Sequence, residues 1–439
     1  MITSKYNFIF PYQEGTYLAY NSLTNDLAVL EKNEYEEYEH LRKNGETIKS
    51  QELIKNLSEG GFIYLDEVNE TDIVRMKRYR SRFGEKSLAL TIAPTSDCNF
   101  KCIYCFEKNV IQPIYMNEEV ENNIIQYVKN KILDIKHISI CWYGGEPLLG
   151  YESIKRISKA VIKICEENHV TYSAGMSTNG YLLSEERVRE LTELKVEHYQ
   201  ITIDGGCQVH NKRRGLKNGV GSYDTILKNL KMLTENDEVS ISIRMNVDKD
   251  NVRDIYDVLE MVESISQNDN VNCYLGHVDA IEGCYGEETC LSNEEYTNLS
   301  KDFSELLKEK NLPPIYYEEY PQTLLGGCIA TTGNGLLINA DGRIYKCWNE
   351  IGDESHCVGD INDPEWEEKY RSEYMKFMAY DPMADEECSD CKYLPLCMGG
   401  CPYKRINHIE RCYYKGNDHV EQMVMKMANT ILESEAAEY

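Results

Sequence analysis

The 439-residue sequence has few basic residues for the number of acidic ones. It contains 47 lysines and arginines against 74 aspartates and glutamates, which gives a formal net charge of −27. A nucleic-acid-binding protein needs a basic face to replace the counterions of the phosphate backbone. The composition therefore argues against a nucleic-acid partner. It favours a basic protein partner only weakly, because acidity also serves solubility.

The sequence also lacks a long apolar run. Its N-terminus shows no basic segment followed by an apolar one, and no stretch approaches the length that spans a membrane. A hydrophobic content of 42% and a charged content of 28% are ordinary for a soluble globular protein. We therefore expect a cytoplasmic protein without a membrane partner. A chain of this length has room for two or three domains.

Cysteine, in contrast, is abundant. The 17 cysteines are an odd number, and in a reducing compartment they favour metal ligation over a disulfide framework. Cys98, Cys102 and Cys105 form a C-x3-C-x2-C loop in the stretch TSDCNFKCIYCFE, which spans 95–107. Three thiolates at this spacing favour one soft metal centre over three unrelated buried cysteines.

The Cys98 loop lacks a fourth protein ligand. A structural zinc site needs four ligands, and neither flank offers a histidine or another cysteine. A four-iron cluster on three thiolates instead keeps one iron open to a ligand that is not protein. The loop therefore points to a functional cluster.

From residue 87 to about residue 280, β-rich runs alternate with amphipathic helical stretches. Six β/α units predict a parallel sheet, because parallel strands need crossover helices. The Cys98 loop then follows the C-terminal end of the first strand, where barrel-type α/β folds keep their chemistry. The predicted strands are Leu88–Ala93, Ile138–Tyr143, Thr171–Ser177, His198–Ile203, Val239–Val247 and Val271–Val278.

Polar motifs follow three of the later strands. Gly144 and Gly145 let the backbone approach a ligand, and Glu146 offers a carboxylate to an ammonium group, although a tight turn is the alternative. Ser177 and Asn179 offer a hydroxyl and an amide. Arg244 can grip a carboxylate or form a salt bridge inside the barrel.

The Cys98 loop, with Tyr104 as the aromatic residue before its last cysteine, resembles the signature loop of the radical S-adenosylmethionine (radical SAM) enzymes. The resemblance implies a partial (β/α)6 TIM-type barrel and a [4Fe–4S] cluster on the catalytic residues Cys98, Cys102 and Cys105. It implies S-adenosylmethionine (SAM) at the open iron and a small electron-transfer protein, flavodoxin or ferredoxin, as reductant. The implied SAM contacts are Tyr104, Gly144, Gly145, Glu146, Ser177, Asn179 and Arg244.

The first 85 residues predict three short strands followed by three helices, with a further short strand at 62–65. This order resembles the winged-helix-like module that recognises leader peptides on enzymes modifying ribosomally made peptides. In that module an extended leader adds a strand to an exposed sheet edge. An ordinary capping or oligomerisation domain is the alternative.

Seven of the eight cysteines in the C-terminal region follow the order C-x13-G-x4-C, then C-x2-C-x5-C-x3-C, then C, and Cys357 is the eighth. This pattern resembles the SPASM signature, and beside a radical SAM barrel it favours two auxiliary [4Fe–4S] clusters over a zinc ribbon. The resemblance implies a first cluster on Cys328, Cys347 and Cys401. It implies a second on Cys388, Cys391, Cys397 and Cys412.

The first auxiliary cluster has only three expected ligands, because the segment 320–327 contains no cysteine. An open iron there could bind a substrate thiolate, unless Cys284, Cys290 or Cys357 fills it. An open iron favours thioether formation, and a filled one favours carbon–carbon cross-linking. Sulfatase-maturing relatives carry an aspartate where this chain has Trp348, so that activity is less favoured. A zinc-binding peptide adaptor is the non-enzymatic alternative.

These patterns predict four domains and a function. A leader-recognition domain spans 1–85, the barrel 86–285, a bridging segment 286–325 and the SPASM domain 326–439. The resemblance implies a radical SAM enzyme that modifies a ribosomally made precursor peptide, with cysteine thioether cross-links as the leading product.

Overall fold

The computed structural model describes residues 1–84, 86–108, 112–266, 270–280, 285–313, 320–369, 371–409, 412 and 419–437. Two compact units make up the chain. The first unit combines Met1–Gly84, Tyr316–Gly333 and Ala379–Tyr439, and the second combines Glu85–Ile315 and Asn334–Met378.

The first unit begins with a small sheet and three helices. Its elements are β1 (Ile2–Thr3), β2 (Asn7–Pro11), β3 (Thr16–Asn21), β4 (Asp26–Glu31), α1 (Lys32–Asn44), α2 (Gln51–Glu59), β5 (Ile63–Tyr64) and α3 (Glu70–Gly84). Strands β2, β3 and β4 form an antiparallel sheet with β3 in the centre, and β1 pairs with β5. A capping box between Glu31 and Glu34 starts α1, and Gly45, at φ 70°, ends it. The predicted order of three strands and then three helices is present, together with the short strand.

The second unit is an α/β body. Its elements in chain order are β6 (Ser87–Ile92), α4 (Glu118–Lys131), β7 (His137–Trp142), α5 (Tyr151–Asn168), β8 (Thr171–Thr178), α6 (Glu185–Glu193), β9 (Val196–Thr202), α7 (Cys207–Arg213), α8 (Tyr223–Thr234), β10 (Ser240–Val247), α9 (Ile255–Ile265), β11 (Val271–His277) and α10 (Asn293–Glu309). Strands β6 to β11 lie side by side in chain order, each parallel to the next. The six predicted strands are therefore confirmed, each with ends shifted by at most two residues. Short, polar α7 was not predicted.

Three further strands extend this sheet beyond β6. They are β12 (Gly335–Ile338), β13 (Arg343–Tyr345) and β14 (Gly359–Asp360), and the short helix α11 (Ser372–Met378) follows them. Strand β12 pairs in parallel with β6, whereas β13 and β14 add antiparallel pairs, so the sheet has nine strands and is predominantly parallel. Part of the predicted SPASM segment thus belongs to the same sheet as the barrel strands.

The C-terminal region returns to the first unit through α12 (Glu386–Ser389), α13 (Leu394–Cys397), α14 (Pro402–Ile406) and α15 (His419–Ala437). The small sheet of β2, β3 and β4 buries both of its faces. One face packs on α1 and α2, and the other packs Phe8, Leu18 and Tyr20 against side chains of the C-terminal region. Those side chains are Leu396, Val420, Val424 and Ala428.

This shared core groups the chain differently from the four predicted domains. Residues 1–84 form one compact unit with the C-terminal cysteine region, and the predicted domain bounds stay a prediction. The physical reason for this grouping is that the three-stranded sheet has two apolar faces, and each face must pack against other side chains to be shielded from water. Across all the residues described, we find no helix with the length and apolar character to cross a membrane.

Candidate active site

The loop that carries Cys98, Cys102 and Cys105 begins just beyond the C-terminal end of β6. The Cys98 amide donates to Asp97 Oδ1 at 2.9 Å, and Lys217 Nζ lies 2.9 Å from the same oxygen. The Lys101 amide donates at 3.0 Å to the carbonyl of Gly215, and the Ile103 amide donates at 3.0 Å to that of Arg213, the last residue of α7. The cysteine loop is therefore fixed at both ends on the C-terminal edge of the sheet.

The three thiols of this loop are electrostatically coupled. Burial raises the pKa of Cys98 and of Cys102, and it raises that of Cys105 to about 12. Cys102 and Cys105 raise the pKa of Cys98 further. Among the described residues no three His, Cys, Asp or Glu side chains converge in the manner of a single-ion site.

A buried cation stands beside these thiols. Arg214 is almost fully buried, and its Nε atom has no hydrogen-bond partner in the described part of the chain. Burial opposes its charge, but Cys102, Tyr104 and Asp204 outweigh burial and hold the pKa of Arg214 well above its ordinary value. Three thiolates with a buried guanidinium fit an anionic iron–sulfur cluster, because the cation offsets part of the cluster's negative charge.

Tyr104 lies at the centre of a buried hydrogen-bond network. Its hydroxyl donates to the Asp204 carboxylate and accepts from Arg214 Nη1 at 2.8 Å and from Asn246 Nδ2 at 3.0 Å. Arg213 extends the network, with Nε 3.6 Å from Asp204 Oδ2. Its Nη1 lies 2.7 Å from the carboxylate of Asp248. Tyr104 therefore ties the cysteine loop to the ends of β9 and β10.

The glycine pair after β7 lies directly on the cysteine loop. A Cβ atom on Gly144 would approach the Thr95 carbonyl oxygen to 2.3 Å, and one on Gly145 would approach the Asp97 carbonyl oxygen to 2.3 Å. The Glu146 amide donates to that Asp97 oxygen at 2.9 Å. In this structure the glycines approach the loop of residues 95–97, and their predicted approach to a ligand stays a prediction.

The Glu146 carboxylate is completely buried and links two loops. It accepts hydrogen bonds from Thr178 Oγ1 at 2.7 Å, from the Asn179 amide at 2.8 Å and from the Leu148 amide at 3.0 Å. Burial raises its pKa. All three donors belong to the protein, so this carboxylate holds the loop after β7 to the end of β8. Its predicted contact with an ammonium group stays a prediction.

The remaining predicted contacts lie along the same edge. Asn179 Nδ2 donates at 2.8 Å to the side chain of Asn99, which lies inside the cysteine loop, and Ser177 Oγ accepts from a glutamine of β9 at 3.0 Å. Arg244 Nε donates to Asn246 Oδ1 at 2.8 Å. A side chain at Gly276 would collide with Arg244, so the glycine makes room for the arginine. Hydrogen bonds thus link two of these three side chains, those of Asn179 and Arg244, to the loop or to the Tyr104 network.

Comparison with known families agrees with this geometry. Residues 92–262 match the model of the Radical SAM superfamily. These residues therefore form a radical SAM domain. The match begins at the end of β6 and covers the cysteine loop, the glycine pair and the strands up to α9.

Relatives of this chain include a sulfatase-maturating enzyme and a cyclopropyl synthase. The cysteine-type anaerobic sulfatase-maturating enzyme of Clostridium perfringens is 25% identical over 74% of this chain and 93% of its own length. The radical SAM cyclopropyl synthase TigE of Paramaledivibacter caminithermalis is 22% identical over 94% of this chain and 91% of its own length.

Among solved structures, the crystal structure of Streptococcus suis SuiB has a similar fold. Its TM-score is 0.55 at 16% sequence identity, and the alignment covers 93% of this chain and 96% of SuiB. SuiB structures also exist with S-adenosylmethionine and with the precursor peptide SuiA. At this identity the likeness establishes the fold alone.

Sequence reasoning missed four buried charged residues of the radical SAM domain. They are Glu107, which accepts from Tyr143 Oη at 2.7 Å, and the network members Arg213, Arg214 and Asp248. The adjacent arginines in a loop beyond a strand end were the available signal. The positions of these residues depend on the return of the chain after α7, which no local pattern encodes.

Trp348, next to Cys347, packs at the same sheet edge. Its ring meets the ring of Tyr143 edge-on, with centroids 4.1 Å apart. Cys357 Sγ donates to the Gly359 carbonyl at 2.9 Å, and Cys290 Sγ donates to the Gly286 carbonyl at 3.5 Å. Cys284 lies outside the described residues.

The predicted second auxiliary set lies within the first unit. Burial raises the pKa of Cys388 and of Cys397. The negative charges of Cys391 and Cys412 raise the pKa of each of these two thiols further. The four thiols are therefore close enough to influence one another, which fits a shared cluster. Of the predicted first auxiliary set, Cys328 and Cys401 belong to the first unit and Cys347 to the second, so that set stays a prediction.

Proposed function

We propose that this protein is a radical SAM enzyme that modifies a ribosomally made precursor peptide, most directly by forming a cysteine thioether. The proposal depends mainly on the arrangement of loops at the C-terminal edge of the sheet in the second unit. There the loop that carries the three thiols, the loop of the glycine pair and the end of β8 are joined by hydrogen bonds. The cluster and SAM would supply a 5′-deoxyadenosyl radical that takes a hydrogen atom from a substrate carbon.

The chain's own residues hold and shield this chemistry. Cys98, Cys102 and Cys105 would ligate the cluster, and Arg214 would offset its charge from the buried side. Tyr104, held on three sides by hydrogen bonds, fixes the loop between the second and third of these cysteines. The glycine pair, Ser177, Asn179 and Arg244 would contact SAM, and a small reductant such as flavodoxin or ferredoxin would deliver the electron.

The test is replacement of Cys98, Cys102 and Cys105 by alanine. We expect reductive formation of 5′-deoxyadenosine to disappear while the iron of the C-terminal clusters remains. A Cys165→Ala variant serves as control, because Cys165 is a buried thiol on α5 away from the loop. Normal SAM cleavage by the triple variant would refute the assignment.

A peptide substrate is supported by the exposed edge of the small sheet. Among the described residues β4 pairs only with β3, and Val29 on β4 is 51% exposed. An extended leader could therefore add a strand along β4. The structurally similar SuiB was solved with the precursor peptide SuiA, which supports a peptide substrate.

Deletion of residues 1–85 would be a poor test of leader binding, because it would also strip the shared core of the first unit. We instead expect Val29→Lys to weaken precursor binding at least tenfold, since a lysine on an edge strand opposes strand addition. Leu133→Lys is the matched control, because Leu133 is an apolar residue of the second unit with 86% exposure. Equal peptide affinity in both variants would defeat leader binding at β4.

The product class depends on the first auxiliary cluster. A substrate thiol bound to an open iron would lose its proton, and the thiolate would be positioned for attack by a carbon radical. The auxiliary cluster would accept the electron left over when the C–S bond closes. Addition of cysteine-containing peptide should then change the spectrum of that cluster, and the cysteine-to-serine peptide should not. If neither peptide changes the spectrum, thioether formation through this iron is refuted.

Carbon–carbon bond formation is the second candidate. Its support is the similarity to the cyclopropyl synthase TigE, which covers 94% of this chain. Mass spectrometry of the modified peptide separates the two products, because a thioether consumes a cysteine thiol and a carbon–carbon bond leaves it free. The zinc-binding adaptor predicts zinc in place of iron and sulfide, so a metal analysis decides that alternative.

A further inference from the structure

Arg405 reaches from one cysteine segment of the C-terminal region to another. It lies on α14, which begins directly after Cys401. Its Nη2 atom donates to Cys388 Sγ at 3.3 Å and to Asp385 Oδ2 at 2.8 Å. The Arg405 side chain is only 14% exposed, so its charge is poorly screened.

Asp385 fixes this geometry from the other side. Its Oδ1 atom accepts the Cys388 amide at 3.2 Å, while its Oδ2 atom accepts Arg405 Nη2. Cys388 is therefore held by its backbone, and its sulfur receives the N–H group of a fixed guanidinium. Asp385 is 45% exposed, so solvent screens its negative charge more than the positive charge of Arg405.

Cys388 belongs to the four coupled thiols of the second auxiliary set. Reduction of an iron–sulfur cluster adds a negative charge that its ligands share. A hydrogen bond to a ligand sulfur and a nearby cation both favour the reduced form, and such contacts are among the factors that set cluster potentials.

We propose that Arg405 raises the reduction potential of the second auxiliary cluster through its N–H···S bond to Cys388. This inference rests on the proposed cluster of Cys388, Cys391, Cys397 and Cys412. Arg405 acts through a cluster ligand, so it is a tuning and positioning residue.

The experiment is a redox titration of the reconstituted full-length holoenzyme, followed by electron paramagnetic resonance. The signal of the second cluster is identified as the one that Cys397→Ala removes. In Arg405→Gln we expect the ratio of reduced to oxidised second cluster, at a fixed potential, to fall about tenfold. That change corresponds to a midpoint about 59 mV lower for a one-electron couple.

Two further variants make the test specific. Arg405→Lys keeps the charge but loses the planar guanidinium, so we expect a smaller downward shift. Arg42→Gln is the matched control, because Arg42 pairs with Glu39 on the surface of α1 in the same unit. Its midpoint should equal that of the unmodified protein.

Each outcome decides the question. An unchanged midpoint in Arg405→Gln, with the cluster intact, overturns the role of Arg405 and leaves the proposed function standing. If Arg405→Gln loses the cluster, Arg405→Lys decides, and an unshifted midpoint there overturns the inference. If no signal depends on Cys397, the cluster assignment itself fails.

Discussion

His210 is a buried neutral base whose titration should make the stability of the second unit depend on pH. It lies on α7 with no exposed surface, its Nδ1 atom accepts the Asp204 amide at 3.4 Å, and its ring meets Tyr223 edge-on. Burial, with the charges of Arg214 and Arg213, lowers its pKa from 6.5 to about 3. A proton on this ring would be a third positive charge in the Tyr104 network.

The size of the effect follows from linkage. The folded state keeps His210 neutral, whereas the unfolded chain takes up a proton below about pH 6.5. The contribution of His210 to stability is therefore complete above pH 6.5 and is lost as the pH falls towards 3. Between pH 7.5 and pH 5.5 the loss is about 1.4 kcal/mol, a factor of ten. Both pH values lie well above the folded pKa, so this figure depends on the unfolded value alone.

The assay compares urea unfolding of the unmodified protein and His210→Asn at the two pH values. Asparagine can still accept the Asp204 amide but does not titrate. We expect the stability advantage of the unmodified protein to be about 1.4 kcal/mol larger at pH 7.5 than at pH 5.5. His169→Asn, at an exposed left-handed position at the end of α5, is the control for replacing a histidine outside the buried network. An equal advantage of the unmodified protein over His210→Asn at both pH values would refute the reasoning.

Two further predictions concern close packing. Gly145→Ala places a methyl group 2.3 Å from a backbone oxygen of the cysteine loop, so the loop must shift. SAM affinity measured by calorimetry should therefore fall at least tenfold. Gly84→Ala is the control and should retain SAM affinity, because a methyl group there makes only ordinary contacts. Ser22→Ala removes the 2.8 Å hydrogen bond to the Lys392 carbonyl and should destabilise the first unit by about 1 kcal/mol in thermal unfolding. Ser58→Ala is its control, because that buried hydroxyl has no partner among the described residues.

The order of apolar runs and helices along the sequence predicted most of the second unit, because these local patterns determine which elements form. The six parallel strands follow from apolar runs with helices between them, and the cysteine loop follows from its spacing. Strand β12 is different. It joins β6 across about 245 residues of chain, at the pairs Gly335 with Ala89 and Ile338 with Ile92. No period in the sequence specifies that partner.

The candidate site shows the same division. Residue types identified the thiols and the glycine pair, which chemistry restricts to few alternatives. The Glu146 carboxylate instead turned out to be satisfied by Thr178 and two backbone amides, an arrangement that depends on the register of β7 and β8. The role of Arg214 depends on where the chain passes after α7.

The shared core of the first unit cannot be completed until the C-terminal region of the chain has been synthesised. Ser22 and Lys392 are 370 residues apart in the chain, which is roughly 20 to 70 s of synthesis at ribosomal rates. During that time the face of Phe8, Leu18 and Tyr20 has no final partner. A nascent chain of this protein therefore carries an uncovered apolar sheet until its last helix emerges. Both early release and truncation before α15 should send it to chaperones or into aggregates.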